Sequence, residues 1–357
     1  MQRYWAALRQ AAEATGIQVD ATLEQPAIPV TASGRFTRAY QNYWAYPRHC
    51  RNVLEKSGSR LAHILDHSFA HILKVIPHNC KTVVTVHDLI PFRDTEGMTN
   101  AQLKRFRNKM ELLQKADKLV AVSVSTRNDL VEFLGIPEGQ IAVVPNGVSW
   151  NEDCTNDKAE EKGILEVLKK DAEGNMFTVL SIGSSVPRKN LDQLPGIVSA
   201  FSQEGGGELR LVRVGDPLSD ELRQRLEGEL GAAGVIELGR VSDTVLSVVY
   251  EQVDALIFPS TYEGFGLPVL EAMSAGCPVV ASDIPSHREV GGECVSFFPA
   301  DDPQRGGKAL ADLARAGESV NGRIEAGIAR AKEFTWERHL AGLLEVYDGV
   351  LGVEGSD

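Results

Sequence analysis

Short apolar runs rich in β-branched residues alternate with helical segments along the chain, and this alternation restricts the fold more than any other feature. In the first part, apolar runs at 81–86, 119–123 and 141–144 flank helical segments at 100–116 and 125–134. Parallel strands that are covered by helices on both faces carry such uninterrupted apolar stretches. The pattern therefore predicts an α/β fold built on parallel sheets.

A polar segment at 149–175 interrupts this alternation and predicts a domain boundary. A second alternation follows, with apolar runs at 177–182, 209–214, 235–238, 255–258 and 279–281. The chain of 357 residues is long enough for about two domains. The runs end at Gly, Pro, Ser or Asp, and open parallel sheets bind ligands at the carboxyl ends of their strands. We therefore expect two Rossmann-like domains with ligand-binding loops on those edges.

The composition is that of an ordinary globular protein. Apolar residues make up 43% of the chain and charged residues 24%. No apolar run is long enough to span a membrane, and the first residues lack the apolar stretch of a signal peptide. The five cysteines are scattered without a C-x-x-C pair, which is typical of reduced thiols in a cytoplasmic protein.

The charge is distributed unevenly. The net charge of -12 argues against general nucleic-acid binding. Residues 1–118 nevertheless contain 17 Lys and Arg against 10 Asp and Glu, whereas the remainder contains 20 against 39. The basic first third, which includes Lys104, Arg105, Arg107 and Lys109, could contact an anionic partner such as a lipid diphosphate or the inner face of the membrane. A solvated helix face is the alternative interpretation.

A Gly-Phe-Gly-Leu-Pro segment follows the run at 255–258 and predicts a loop that leads into a helix. Gly264 and Gly266 allow a ligand to approach the backbone closely. Pro268 suits the first turn of a helix, and Gly276 suits the left-handed residue after its end. The amides from Gly264 to Leu267 would then be free to bind an anion or hydroxyl groups.

Two carboxylates, Glu263 and Glu271, stand eight residues apart on either side of this turn. Ionised carboxylates form strong hydrogen bonds with hydroxyl groups, so the two could hold one polyhydroxylated ligand. A helix-capping Glu and a surface Glu would be the purely structural interpretation. The glycine-rich frame between them favours the ligand site.

A basic pair, Arg188 and Lys189, follows Gly183 in the loop after the run at 177–182. Arginine binds phosphate through two parallel hydrogen bonds, and lysine supplies a compact positive charge. Both suit a diphosphate that gains negative charge as it leaves. A basic pair in a loop is more often simply solvated, but its place at a strand end and its partnership with the Glu segment favour a phosphate site.

Polar residues also follow the run at 81–86. His87 and Asp88 lie at its carboxyl end, and His67 precedes them by twenty residues. No H-E-x-x-H, C-x-x-C or D-x-D pattern is present, so the sequence predicts a site without metal.

Together these residues resemble glycosyltransferase family 4, whose members have the GT-B fold of two Rossmann-like domains facing a cleft. The resemblance runs from about 61 to 351. It includes these further positions: Ser123, Asn146, Gly147, Gly215, Gly239, Ser282, Asp283 and Trp336. It implies an N-terminal acceptor-side domain, 1–160, joined by a C-terminal helix, 337–351, and a donor-binding domain, 161–336.

The resemblance assigns roles residue by residue. Arg188 and Lys189 would bind the donor diphosphate beside Gly183, Glu271 the ribose, and Glu263 the transferred sugar. His87 would lie under the sugar, near the anomeric carbon, and is implied to be catalytic together with Glu263, Lys189 and Arg188. The other implied positions are the loop residues Gly264, Phe265, Gly266 and Leu267, the base-pocket residues Arg240 and Val241, and the acceptor-side residues Asp88 and His67.

The implied reaction is transfer of a hexose from a UDP- or GDP-linked donor to a saccharide or lipid-linked acceptor, with retention of anomeric configuration. No cofactor or metal is implied, and the product would enter a polysaccharide or glycoconjugate. Two alternatives remain open: an inactive nucleotide-sugar-binding scaffold subunit, and a GT-B enzyme of other chemistry such as a nucleotide-sugar epimerase or phosphorylase. A dehydrogenase is disfavoured because no strand is followed by G-x-G-x-x-G.

Two departures from the family pattern are visible. Family members begin with a strand and a Gly-rich loop, whereas the residues from Met1 onward already have helical character. The N-terminal sheet is therefore expected to lack its first strand. A truncated chain, or a start that is set too late, would explain this departure. Pro195 lies where a helix is expected and should move its start or kink it.

Overall fold

The computed structural model describes residues 2–16, 44–95, 98–148, 158–168 and 176–352. The chain divides into two compact units. The N-terminal unit comprises Met1–Gly147 with Trp336–Asp357, and the C-terminal unit comprises Val148–Thr335.

Each unit contains one sheet in which every described strand pairs in parallel with its neighbours. The N-terminal sheet has the order β1-β2-β3-β4, and the C-terminal sheet the order β10-β9-β8-β5-β6-β7. The strands are β1 (Leu61–Ile64), β2 (Lys81–Val86), β3 (Lys118–Ala121), β4 (Ile141–Val143), β5 (Met176–Gly183), β6 (Glu208–Gly215), β7 (Val235–Gly239), β8 (Ala255–Phe258), β9 (Val279–Ser282) and β10 (Ser296–Phe298). The predicted α/β fold with parallel sheets is confirmed.

Helices connect these strands. In chain order the described α-helices are α1 (Gln2–Ala14), α2 (Tyr46–Ser57), α3 (Ile90–Arg93), α4 (Asn100–Met110), α5 (Val124–Leu134), α6 (Lys158–Leu168), α7 (Leu194–Gln203), α8 (Asp220–Leu230), α9 (Asp243–Gln252), α10 (Leu267–Ser274), α11 (Pro285–Gly291), α12 (Pro303–Ala316), α13 (Asn321–Ala331) and α14 (Trp336–Leu351). None of these described helices has the length and apolar character needed to cross a membrane.

Burial on both faces explains the uninterrupted apolar strands. Successive side chains of a strand point to opposite faces. In β2, Val83 joins an apolar cluster with α1 and α14, whereas Val84 joins a second cluster that includes Met110 and Leu130. A polar residue at either position would face a core rather than water.

The order of the C-terminal sheet places a topological switch point at β5. From β5 the chain continues outward through β6 and β7, then returns to pair β8 on the other side of β5. The chain therefore leaves β5 and β8 in opposite directions along the sheet, and open α/β sheets bind ligands at the carboxyl edge of such a switch point.

The structure adds two strands that the sequence pattern does not show, β1 and β10. Both are sheet edges and have only four and three residues, so their apolar pattern is short. Pro195 lies in the first turn of α7, where a proline needs no hydrogen-bond donor, so it sets the helix start without kinking the helix. The predicted helical character of the N-terminal segment is confirmed by α1. Much of the predicted boundary segment and Cys154 lie outside the described residues.

A network of buried aromatic and histidine side chains joins α1 and α14 to the N-terminal sheet. His339 is 1% exposed, and its Nδ1 lies 2.8 Å from the carbonyl oxygen of Pro145. A carbonyl only accepts, so Nδ1 donates and leaves Nε2 to accept from the Tyr4 hydroxyl at 2.6 Å. His63 on β1 contacts Tyr347 at 2.6 Å and Thr85 at 2.8 Å. Burial favours the uncharged imidazole at His339.

We expect this unit to lose stability as the pH falls below about 6.5. Burial lowers the pKa of His339 to about 4, so folding favours its neutral form. The contribution of His339 to the free energy of unfolding is complete above its pKa in the unfolded chain. It is lost as the pH falls towards its pKa in the folded protein. At pH 5 this loss should reach on the order of 2 kcal/mol. Urea-unfolding midpoints at pH 7, 6 and 5 measure it.

H339Q should reduce this loss of stability, because it removes the titrating ring. H78Q replaces an exposed histidine of the same unit and is the matched control. An equal loss between pH 7 and pH 5 in H339Q and the unsubstituted protein would contradict the assignment.

Candidate active site

The loops after β5 and β8 meet at the switch point. The first forms a short 3-10 helix, Pro187–Lys189, which ends at Asn190 in the left-handed region (φ 55°). The Asn190 side chain donates to the carbonyl oxygens of Pro259, at 3.1 Å, and Ala300, at 2.8 Å. The Thr261 amide donates to the Arg188 carbonyl oxygen at 2.8 Å. These bonds hold the basic pair against the loop that carries Glu263.

The centre of the site is a largely buried cluster of three charges. Lys189 Nζ lies 2.6 Å from Glu263 Oε1, and Arg188 contacts Glu263 Oε2 at 3.1 Å. Lys189 also lies 4.6 Å from the centre of the Phe258 ring. The structure therefore brings together three residues that sequence analysis assigned to one ligand.

Burial and charge oppose each other in this cluster. Burial lowers the pKa of the Lys189 ammonium, while the facing Glu263 carboxylate counteracts that shift. Burial alone would raise the pKa of Glu263, but Lys189 and Arg188 outweigh it and hold that pKa below its ordinary value. Glu263 is therefore an ionised carboxylate at neutral pH.

Two glycines make room for this cluster. Gly183 has a φ of 121°, and a Cβ there would meet Lys189 Cε at 3.3 Å. Gly215 has a φ of 118°, and a Cβ there would lie 2.2 Å from the Gly183 carbonyl oxygen. Both positions favour glycine because of their positive φ, and a side chain would meet Lys189 at Gly183 and the backbone of β5 at Gly215.

The Gly264–Leu267 turn leads into α10 as the sequence predicted. Gly266 precedes the helix with a φ of 106°, Pro268 lies in its first turn, and Gly276 follows its end with a φ of 72°. Among the described residues, none accepts a hydrogen bond from the amides of Phe265, Gly266 or Leu267. Those amides are available for an anion or a hydroxyl group.

Glu271 lies within α10 and is 6% exposed. Its Oε2 accepts a hydrogen bond from the Tyr250 hydroxyl at 3.2 Å. Tyr250 lies on α9, and no sequence motif marked it. Arg240 lies after β7, where it is mostly exposed and pairs with Asp216 at 2.9 Å. Val241 follows it and is half-buried.

His287 on α11 is a second residue that sequence analysis missed. It is fully buried, its Nδ1 donates to the Ser282 carbonyl oxygen at 2.9 Å, and burial lowers its pKa to about 4. A Cβ on Gly266 would lie 3.4 Å from its ring, so His287 supports the turn from beneath. A polar residue five positions after a strand end was the available signal.

The predicted residues of the N-terminal unit also gather at strand ends. His87 follows β2, donates from Nε2 to the Leu65 carbonyl oxygen at 2.8 Å, and packs edge-to-face against Tyr4. The His87 amide lies 3.4 Å from His67 Nδ1. Asp88 accepts a hydrogen bond from the Ile90 amide at 3.1 Å. Within the described ranges, no group of His, Cys, Asp and Glu is arranged to hold a metal ion.

Two family models match the chain. Residues 1–151 match Glycosyltransferase Family 4, and residues 176–316 match Glycosyl transferases group 1.

Similar proteins include two from Escherichia coli. O-antigen chain mannosyltransferase B is 28% identical over 281 residues, which cover 76% of this chain and 71% of that protein. The serotype-specific mannosyltransferase WbdA is 28% identical over 289 residues, covering 77% of this chain. That match spans only 35% of WbdA.

Solved structures share the fold at lower identity. Sucrose-phosphate synthase from Thermosynechococcus elongatus matches with a TM-score of 0.75 and 20% identity, over 99% of this chain and 94% of that one. Anabaena HepE, solved in complex with UDP and glucose, matches with a TM-score of 0.68 and 18% identity, over 85% and 82%. The parallel sheets and the structural matches show that the chain has the GT-B fold. The two family models, which match residues 1–151 and 176–316, show that it belongs to glycosyltransferase family 4.

Proposed function

We propose that the chain transfers a hexose from a UDP- or GDP-linked donor to a saccharide or lipid-linked acceptor, with retention of anomeric configuration. The observation that carries this proposal is the buried Lys189–Glu263–Arg188 cluster at the switch point of the C-terminal sheet. Apolar residues of similar size would often stabilise a fold as well as a buried charge cluster does. Buried charges that perturb one another's pKa gather at functional sites.

The cluster suits a leaving diphosphate. Breaking the bond between the anomeric carbon and the phosphate oxygen adds negative charge to the diphosphate, which Arg188 and Lys189 would stabilise without a metal ion. The free amides of Phe265, Gly266 and Leu267 would bind phosphate or sugar oxygens. Glu271 would bind the ribose hydroxyls from within α10.

The environment of Glu263 supports positioning rather than nucleophilic attack. Each of its carboxylate oxygens contacts a cation, which reduces its nucleophilicity. Its remaining lone pairs can still accept hydrogen bonds from the transferred sugar. The acceptor oxygen would bond to the anomeric carbon on the face from which the diphosphate leaves. The acceptor proton would pass to a phosphate oxygen, and the protein would supply orientation and charge.

The transferred sugar and the acceptor are proposed from the relatives. The similar Escherichia coli proteins are named mannosyltransferases, and one of them acts on the O-antigen chain. We therefore propose mannose as the sugar and a growing saccharide or glycolipid as the acceptor. The exposed residues Lys104, Arg105 and Arg107 on α4 would suit an anionic cytoplasmic membrane surface that carries such an acceptor.

Differential scanning fluorimetry against UDP, GDP, ADP and their common sugar conjugates tests the donor site. A nucleotide at about 100 times its dissociation constant should stabilise the protein by about 2.7 kcal/mol. For a unit of this size, that raises the melting temperature by roughly 5–10 °C. We expect one base to be preferred and the shift to persist in EDTA.

Variants locate the binding event. Arg188→Ala should reduce the shift, whereas R288A, which removes an exposed arginine of the same unit, should preserve it. No shift with any nucleotide would contradict the proposed donor site. A shift lost in EDTA would contradict metal independence alone.

A further inference from the structure

Arg213 is the largest side chain that is fully buried among the described residues, with 1% exposure. It lies on β6, opposite Ser181 of β5. Its guanidinium donates to the Ser181 hydroxyl at 3.3 Å, to the Gly183 carbonyl oxygen at 2.5 Å and to the Asp216 carbonyl oxygen at 3.2 Å. A full positive charge is thus held under the carboxyl ends of β5 and β6.

This charge has no direct counter-ion in the described part of the chain. The carboxylates that influence Arg213 electrostatically are Asp216 and Glu237. Asp216 already pairs with Arg240 at 2.9 Å, and Glu237 with Arg223 at 2.6 Å. Burying a charge without a paired partner is costly, so a purely structural role gives little reason to retain arginine here.

The proposed donor site holds more positive than negative charge. Its cations are Arg188, Lys189 and Arg213, and its carboxylates are Glu263 and Glu271. A nucleoside diphosphate, which carries at least two negative charges, would offset this excess of one positive charge.

Gly183 connects Arg213 to the donor site. Its carbonyl oxygen accepts from Arg213, and the space above its Cα is occupied by the Lys189 side chain. Arg213 also lies close enough to Lys189 to disfavour its protonated form. The two cations therefore act on the same strand end, one through the backbone and one directly.

We propose that Arg213 is a positioning residue of the donor site, a buried third cation that fixes Gly183 and adds its charge to the field that Arg188 and Lys189 present to a diphosphate. This inference rests on the proposed function. It predicts that Arg213 contributes to binding of the diphosphate part of the donor and not to binding of the nucleoside part.

Isothermal titration of R213M with UDP and GDP, and with uridine and guanosine, tests the proposal. We expect R213M to bind the preferred nucleoside diphosphate about tenfold more weakly, about 1.4 kcal/mol, and the nucleoside with unchanged affinity. Arg210 is the matched control because it is buried on the same strand, at the opposite end, where it donates to Thr178 at 3.1 Å. R210M should leave both affinities unchanged.

A second pair of variants separates charge from fold. R213K retains the charge, whereas R213Q retains a hydrogen-bond donor and loses the charge. We expect R213K to bind the diphosphate within about threefold of the unsubstituted protein and R213Q to match R213M. If R213M fails to fold, the comparison of R213K with R213Q decides.

Equal diphosphate affinity in R213K and R213Q would overturn the proposal, as would equal weakening of nucleoside and diphosphate binding. If the unsubstituted protein binds none of these nucleotides, the proposed function fails instead. Nucleotide binding that does not change when Arg213 is replaced would instead contradict only the role of Arg213.

Discussion

Replacing Lys189 by alanine is expected to lower sugar transfer by at least about 100-fold while the protein remains folded. The ammonium would otherwise stabilise the charge that develops on the leaving diphosphate. Glu263 keeps its contact with Arg188 at 3.1 Å, so the carboxylate is not left without a partner. The loss of stability should therefore be limited, on the order of 1–3 kcal/mol.

Two measurements separate turnover from folding in this variant. Initial rates with saturating donor report the chemical step, and thermal unfolding reports the fold. K308A removes an exposed lysine that pairs with Asp312 on α12 and is the matched control. Near-normal turnover by K189A, with donor binding intact, would exclude Lys189 from the leaving-group role.

Replacing Glu271 by glutamine is expected to weaken binding of the nucleotide by about 10- to 100-fold. The substitution keeps the shape of a side chain that is buried in α10 beside Tyr250 but removes the charge that would strengthen the proposed hydrogen bonds to ribose. Inorganic pyrophosphate, which has no ribose, should bind E271Q as well as it binds the unsubstituted protein. Isothermal titration measures both affinities.

A 2′-deoxynucleotide sharpens this test. If Glu271 binds the 2′-hydroxyl, a nucleotide that lacks this hydroxyl should bind the unsubstituted protein more weakly. The missing hydroxyl should have little further effect on binding to E271Q. E325Q, at an exposed position of α13, controls for the loss of one negative charge. If E271Q still prefers the ribonucleotide over the 2′-deoxynucleotide by the same factor as the unsubstituted protein does, Glu271 does not bind the ribose.

The site motifs were accessible from sequence because each depends on local backbone geometry. Gly266, Pro268 and Gly276 have the conformations that their residue types favour, and these set the bounds of α10 without reference to the rest of the fold. The basic pair and Glu263 were recognised through their association with these glycines. Their contact at 2.6 Å was not predictable, since 74 residues separate Lys189 from Glu263.

Other site residues carried no local signal. Tyr250 resembles an ordinary residue of an amphipathic helix, and the sequence does not show which of the two arginines in the run at 209–214 lies near the basic pair. Only the neighbours that packing supplies give Tyr250 and Arg213 a role. His339 and Tyr4 are 335 residues apart, yet they form one hydrogen bond in the N-terminal unit. The edge strands β1 and β10 were missed because three or four residues are too few to show a period.

The sequence by itself determined the α/β class, the main strands, the glycine-rich turn and the residue types of the proposed donor site, because strand burial and left-handed turns restrict residues locally. Only the tertiary structure decided which strand ends meet. The order β8-β5-β6 brings Lys189 to Glu263 and leaves the Arg213 charge beneath Gly183. Pairing of distant strands depends on the whole sheet, so no local pattern encodes it.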